Sequence, residues 1–293
     1  MKILVIGGTG MVGRTVVSEL LGQKAAVRVM THSADKLKAL PTGVEGIKAD
    51  LDDPDTLPEA FDGMDGVFLL NAVCLGETDE GLAAVSAAKA AKIRKLVYLS
   101  VCMPAGSASI PHFRTKIPVE NAVKDSGITY TILRPNNFFQ NDLGMRDAIM
   151  MHGIYPQPIG GVGLNRVDVR DIAESAVKAL MKTGHEGKVY SIHGPDTLTG
   201  EDTARIYSTH LGRKVRYAGD DLDAWAGLVK NMMPEFMVPE MRIMYNFYQE
   251  HGMAATEEDL ESQQEILGRA PRSFDDFVKE IIPEWKAALP RAA

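Results

Sequence analysis

The sequence predicts a doubly wound α/β protein: a parallel sheet with helices on both faces, followed by a smaller, mostly helical lobe. Short β-branched runs alternate with longer stretches of near-3.6 apolar spacing through the first two thirds of the chain, the pattern of βαβ crossovers. Several runs are almost continuous in Val, Ile and Leu, as strands covered on both faces should be. After Pro195 the strand signals nearly stop and helical spacing takes over.

Taken in order, strands are expected over residues 2–6, 26–31, 44–48, 66–71, 95–100, 129–133 and 188–193, with helices between them such as 12–21, 81–92 and 117–125. After Pro135 the rhythm changes. Pro156, Pro158, Gly160, Gly161 and Gly163 punctuate a loop-rich stretch that reads as an insertion beside the sheet. The later lobe carries one short strand at 214–218 and helices around 220–230, 239–250, 257–267 and 274–287. The expected division is a nucleotide-binding domain over 1–195, with 138–165 contributing to a cleft, and a substrate lobe over 196–293. No internal repeat stands out, and the low-complexity content is confined to the alanine-containing tail after Pro290.

Composition narrows the function. The 293 residues are 45% hydrophobic and 24% charged, ordinary for a folded chain that needs neither disulfides nor metals to build a core. With 32 Lys and Arg against 39 Asp and Glu, the net charge of −7 has the wrong sign for a nucleic-acid or anionic-membrane partner. Cys74 and Cys102 are too few for a disulfide framework and lack metal-ligand spacing, which fits a reducing compartment. The apolar run from Ile3 to Ile6 breaks at Gly7, so neither a leader nor a span is expected and the reading is cytoplasmic. There is no HExxH, GxSxG or GxxxxGK[ST], the usual parts of zinc hydrolysis, serine esterase action and ATP hydrolysis.

The first strand runs into Gly7-Gly8-Thr9-Gly10-Met11-Val12-Gly13-Arg14 and a helix. A pyrophosphate needs glycine there so that it can approach the backbone, and a helix N-terminus to present unpaired N–H groups to its charge. The loop therefore points to a bound dinucleotide. An acid about 20 residues further on would accept a ribose 2′-OH, but the second strand ends Thr31-His32-Ser33. That favours NADP(H), whose 2′-phosphate His32, Ser33 and Lys36 would welcome, although Asp35 follows closely. Arg14, a cation in a helix's first turn, also fits a nearby phosphate. Asp50 and Leu51 are placed to flank the adenine, and Asn71, Ala72 and Val73 to line the pyrophosphate side.

These residues resemble the NmrA-like, atypical branch of the short-chain dehydrogenase/reductases. The resemblance rests on residues 7–13, Leu99-Ser100, His112-Phe113-Arg114-Thr115-Lys116, 126–135, 167–173 and Gly194-Pro195, roughly the first two hundred residues. It implies a Rossmann-type domain, a preference for NADP(H) and a substrate cleft between lobes. In the wider family a Tyr-x-x-x-Lys pair works on carbonyls, the lysine orienting the nicotinamide ribose and the tyrosine passing a proton. Here Lys116 occupies the lysine place and His112 the tyrosine place. Either His112 donates the proton itself, or only hydride delivery is needed and water supplies the proton, as suits quinones, azo dyes or triarylmethane cations. A third reading is a sensor that binds NADP(H) without turnover and signals to a protein partner.

Ligands sit beyond the carboxyl ends of such strands. Ser100 and Val101, with Pro135, Asn136, Asn137 and Phe138, are therefore expected at the cofactor, and Cys74, Cys102, Met103, Phe138 and Phe139 at the substrate. Cys74 and Cys102 follow neighbouring strands and could form an oxidisable pair. In the later lobe Trp225, Met233 and Tyr245 belong to a Met- and aromatic-rich stripe that would suit a bulky apolar or aromatic acceptor, if it is not simply core. The expected activity is an NAD(P)H-dependent reductase of a small or medium apolar acceptor, with oligomerisation left open.

Overall fold

The computed structural model describes residues 1–288, so the tail after Pro290 lies outside the described residues. Its first half runs β1 (Lys2–Ile6), α1 (Met11–Gly22), β2 (Ala26–Thr31), α2 (Ala34–Lys38), β3 (Val44–Lys48), α3 (Leu57–Phe61), β4 (Gly66–Leu69), α4 (Glu77–Ala90), β5 (Lys95–Leu99), α5 (Pro111–Arg114), α6 (Lys116–Asp125) and β6 (Thr129–Pro135). There follow α7 (Arg146–His152), β7 (Ile154–Tyr155), α8 (Val169–Met181), β8 (Lys188–Ile192), α9 (Gly200–Leu211), β9 (Arg216–Tyr217), α10 (Leu222–Val229), α11 (Met237–His251), α12 (Glu257–Leu267) and α13 (Phe274–Ala287).

Seven strands pair in the order β3-β2-β1-β4-β5-β6-β8, every pair parallel. Strand alternation decides the layers. Leu4 and Ile6 enter one core with Phe61, Val85 and Val119, while Ile3 and Val5 enter the opposite one with Val16, Leu20, Ile172 and Leu180. Helices α3, α4 and α6 thus cover one face, α1 and α8 the other. The strand order reverses between β1 and β4, the switch point where such sheets bind ligands.

Several boundaries differ from the sequence reading, each for a tertiary reason. Strand β4 stops at Leu69 because the chain turns there to pack Leu70 against Gly7 at the switch point. Strand β6 runs on to Pro135 because Arg134 and Pro135 pair with Ser191 and Ile192 of β8. The stretch after Pro135, expected as loops, holds a 3₁₀ segment, α7 and β7, which pairs with β9. Helix α4 begins four residues before the expected start at Gly81, since its acidic first turn carries no apolar period to betray it.

A third core, formed mainly by α7, α9, α10, α11 and α13, fills the helical lobe and takes in Ile110 and Phe113 beside α6. Helix α12 returns to the sheet, packing on β8 and α8. Gln263 holds it there, accepting from the His193 N–H and donating to the His193 carbonyl, both at 2.7 Å.

The segment at 166–171 joins the parts. Asp168 caps α8 and receives Gln140 and the Arg170 guanidinium, while Asp171 accepts from Arg269 and from the Arg272 backbone. Arg166 and Asp142 form an ion pair at 2.6 Å with both side chains 0% exposed. Tyr207 and Gln157 donate to the same carboxylate, and the guanidinium lies 5.0 Å from the Phe274 ring centroid. A buried charge is tolerated only while its counter-charge and hydrogen bonds are complete. Asp142→Asn, which leaves Arg166 charged and unbalanced, is expected to lose about 3–5 kcal/mol in a denaturant melt; a loss below about 1 kcal/mol would contradict this account of the junction.

Candidate active site

The β1–α1 turn is built by steric exclusion. Gly7 has φ +76°, and a Cβ on it would stand 2.5 Å from the Leu70 carbonyl; one on Gly13 would stand 2.1 Å from the Gly7 carbonyl. Neither position admits a side chain. At Gly10 the nearest neighbour of a Cβ is the Gly7 oxygen at 3.3 Å, so the space beyond is open. Gly10 is also the N-cap of α1, with no capping side chain and no acid in the first turn, which leaves that helix end's N–H groups to an external anion.

This turn floors a cleft of about 340 Å³ lined by Gly7, Thr9, Gly10, Thr31, His32, Lys36, Asp50, Leu51, Asn71 and Ala72. All ten are residues the sequence had singled out for a dinucleotide. Met30, Ala49, Leu70 and Glu80 also line it and were not expected. A second groove of about 350 Å³ shares Thr9 and Lys36 and adds Arg14, whose Nε donates to the Thr9 carbonyl at 2.8 Å. Ser33 caps α2, and Asp35 is drawn to Lys38 at 2.8 Å. The Asn71 side chain is 3% exposed; its Nδ2 donates to the Glu77 carbonyl at 2.7 Å, while its Oδ1 is buried without a partner. An open glycine cradle and an uncapped helix end on one cleft are what a dinucleotide pyrophosphate requires.

Next to Asn71 lies a feature the sequence did not reveal. Gly81 lets α4 approach α6 closely, since a Cβ there would stand 2.5 Å from Val119. One turn earlier on the same helix, Glu77 meets the start of α6. Its Oε1 lies 2.5 Å from Lys116 Nζ and its Oε2 accepts from Thr115 Oγ1 at 2.7 Å. The two side chains of the pair are 8% and 1% exposed, lysine first.

His112 is buried one turn before Lys116, edge-on to Phe113, and its Nδ1 lies 3.3 Å from Glu240 Oε2 of α11 without hydrogen-bond geometry. Burial, assisted by the Lys116 cation, lowers its pKa to about 4, so the ring is neutral at pH 7.

Other expected site residues sit elsewhere. Phe139 packs against Phe274 and Phe277, and Trp225 against Tyr245 at 4.9 Å, all inside the helical-lobe core with Cys102; Val101 and Met233 pack on its edge, and Met103 is half-buried nearby in sequence. Their large apolar surfaces are consumed by packing, as an aromatic stripe at helical spacing usually is. Asn136 donates to the Met253 carbonyl at 2.8 Å, Asn137 accepts from Arg166, and Phe138 lends its carbonyl to Arg166. The backbone of Ser100 and Cys102 is tied to Leu133 and Pro135. The thiols do not share a site: Cys74 donates to Glu80 at 3.0 Å while Cys102 lies in the core, and burial pushes both up to about 12. Among the described residues no cluster of metal-ligating side chains is found, and no helix is long and apolar enough to cross a membrane.

Sheet order, glycine turn and cleft together define a Rossmann-type dinucleotide-binding protein with a helical lobe. The chain belongs to the NmrA-like family, whose profile matches residues 1–278. It is 32% identical to the NAD(P)H azoreductase of Xenophilus azovorans over 288 residues, 98% of this chain and 100% of that one. It is 34% identical over 280 residues to a (4-alkanoyl-5-oxo-2,5-dihydrofuran-3-yl)methyl phosphate reductase of Streptomyces griseus, 95% of this chain and 97% of the relative. In fold it is similar to the Citrobacter sp. triphenylmethane reductase, with a TM-score of 0.85 at 23% identity, covering 97% of this chain and 100% of that one. The same holds for the Escherichia coli NADPH-dependent quinone oxidoreductase complexed with NADPH, with a TM-score of 0.84 at 23% identity over 95% and 99% of the two chains.

Two outcomes follow from the geometry. Gly10→Ala is expected to keep its melting temperature within about 3 °C, an effect under about 1 kcal/mol, yet weaken NADPH binding on the order of 10-fold or more, whereas Gly13→Ala loses fold stability outright; equal melting losses would refute the distinction. His112 also makes stability depend on pH. Its folded pKa lies below the unfolded value, so the unfolded chain takes up the proton first and stability falls as pH drops from about 6.5 to about 4, by about 3 kcal/mol from this group. In denaturant melts across that window, His112→Phe should show a shallower decline than the wild type.

Proposed function

We propose that this protein is an NAD(P)H-dependent reductase that prefers NADPH and delivers hydride to a small or medium aromatic or conjugated acceptor. The observation that carries the reading is the open glycine cradle of the dinucleotide cleft, to which Asn71 ties the Lys116–Glu77 pair, with a neutral histidine where a proton donor would stand. The names of the two curated relatives, an azoreductase and a furanone phosphate reductase, support the same class.

When bound, the reduced nicotinamide supplies the hydride. Gly7, Gly10 and the open end of α1 would take the pyrophosphate, and Lys116 the nicotinamide ribose. The NADPH preference is supported by Arg14 and Lys36 facing one groove while Asp35 turns to Lys38. His112, neutral at pH 7, is a poor acid, which favours acceptors whose reduced form is a stabilised anion or neutral species that takes its proton from water. Quinones, azo compounds and conjugated carbonyls meet that condition; simple ketones do not.

The test is a fluorescence titration with NADPH and NADH, then a panel of quinones, azo dyes and small carbonyls in the same cuvette. NADPH is expected to bind on the order of 10-fold more tightly than NADH, about 1.4 kcal/mol, with consumption on at least one conjugated class and none on simple ketones. Tight binding without consumption on any acceptor would instead mark a protein that reads nucleotide occupancy.

A further inference from the structure

We propose that Glu77 is a positioning residue for Lys116: it fixes the ammonium in place and aims its remaining N–H groups at the cofactor. The inference rests on the reading of Lys116 as the residue that holds the nicotinamide ribose. Lys116 is poorly placed on its own account. Its side chain is 8% exposed, so the ammonium has lost most of its water. Burying a cation is costly unless an opposite charge is fixed beside it.

Glu77 is that charge, and its own placement is favourable. It occupies the first position of α4, where the helix dipole stabilises a carboxylate. The carboxylate is held at two points, by Lys116 Nζ at 2.5 Å and Thr115 Oγ1 at 2.7 Å, and its backbone carbonyl is held by Asn71. Thr78, next along α4, donates to the Thr115 carbonyl at 2.9 Å and locks the two helix starts together. An ammonium has three donors. Glu77 takes one, and among the described residues no second acceptor bonds Lys116, leaving two for ribose hydroxyls. Asn71, which lines the dinucleotide cleft, donates to the Glu77 backbone carbonyl and so ties that residue to the cleft.

A double-mutant cycle tests this with wild type, Glu77→Gln, Lys116→Met and the double variant, read by NADPH dissociation constant in the fluorescence titration and by kcat/KM with an accepted quinone or azo dye. In the wild-type background Glu77→Gln should weaken NADPH binding on the order of 10-fold and lower kcat/KM on the order of 100-fold. In the Lys116→Met background the same change should cost less than about two-fold, and Glu77→Asp, which keeps the charge, should recover most of the loss. Equal losses in both backgrounds would overturn the proposal and leave Glu77 a structural residue. Unchanged binding and turnover in Lys116→Met alone would instead overturn the role given to Lys116. Should circular dichroism show Glu77→Gln unfolded, Glu77→Asp carries the cycle: a several-fold loss that vanishes without Lys116 supports the proposal, and one that persists refutes it.

Discussion

The close contact of the β1–α1 turn with the end of β4 is the constraint on which the rest of the molecule hangs. Gly7 touches the Leu70 carbonyl and Gly13 touches Gly7, so α1 enters at one angle only and its first turn faces the switch point. From that angle, Val16 and Leu20 reach the core beneath Ile3 and Val5, and α8 packs beside α1. The same contact that sets the sheet's covering layer leaves Gly10 open to solvent. Fold and nucleotide site are thus two consequences of one steric fact.

Two buried ion pairs divide the remaining work. Arg166 and Asp142 are wholly enclosed, with tyrosine, glutamine and an aromatic ring completing their shell, and they fix the insertion after β6 to the helical lobe. Every donor and acceptor is turned inward, the mark of a structural pair. Lys116 and Glu77 differ in that the lysine keeps donors that no described residue uses. The neutral His112 alongside completes a site with a cation but no acid, which suits an NAD(P)H-dependent reductase whose acceptors need hydride more than a delivered proton.

The family-like segment at 167–173 shows how a motif can be read correctly as kinship and say little about chemistry. Asp168 caps a helix and holds Gln140, and Asp171 in its first turn tethers Arg269 and Arg272. They hold the frame in which the site sits. The aromatic stripe of the helical lobe is similar: Trp225 and Tyr245 pack against each other and fill a core.

What the sequence determined by itself is whatever depends on local pattern. Continuous Val, Ile and Leu runs marked the buried parallel strands, and the glycine spacing after β1 marked the cleft, because both follow from contacts within a few residues or from a fixed period. The tertiary structure alone decided which charges meet. Glu77 lies in a helix turn with no apolar period and 39 positions from Lys116, and Asp142 stands 24 positions from Arg166. Nothing local distinguishes those carboxylates from the solvated acids around them; only the packing of α4 on α6 at Gly81, and of the insertion on the helical lobe, removes water and makes each a required partner.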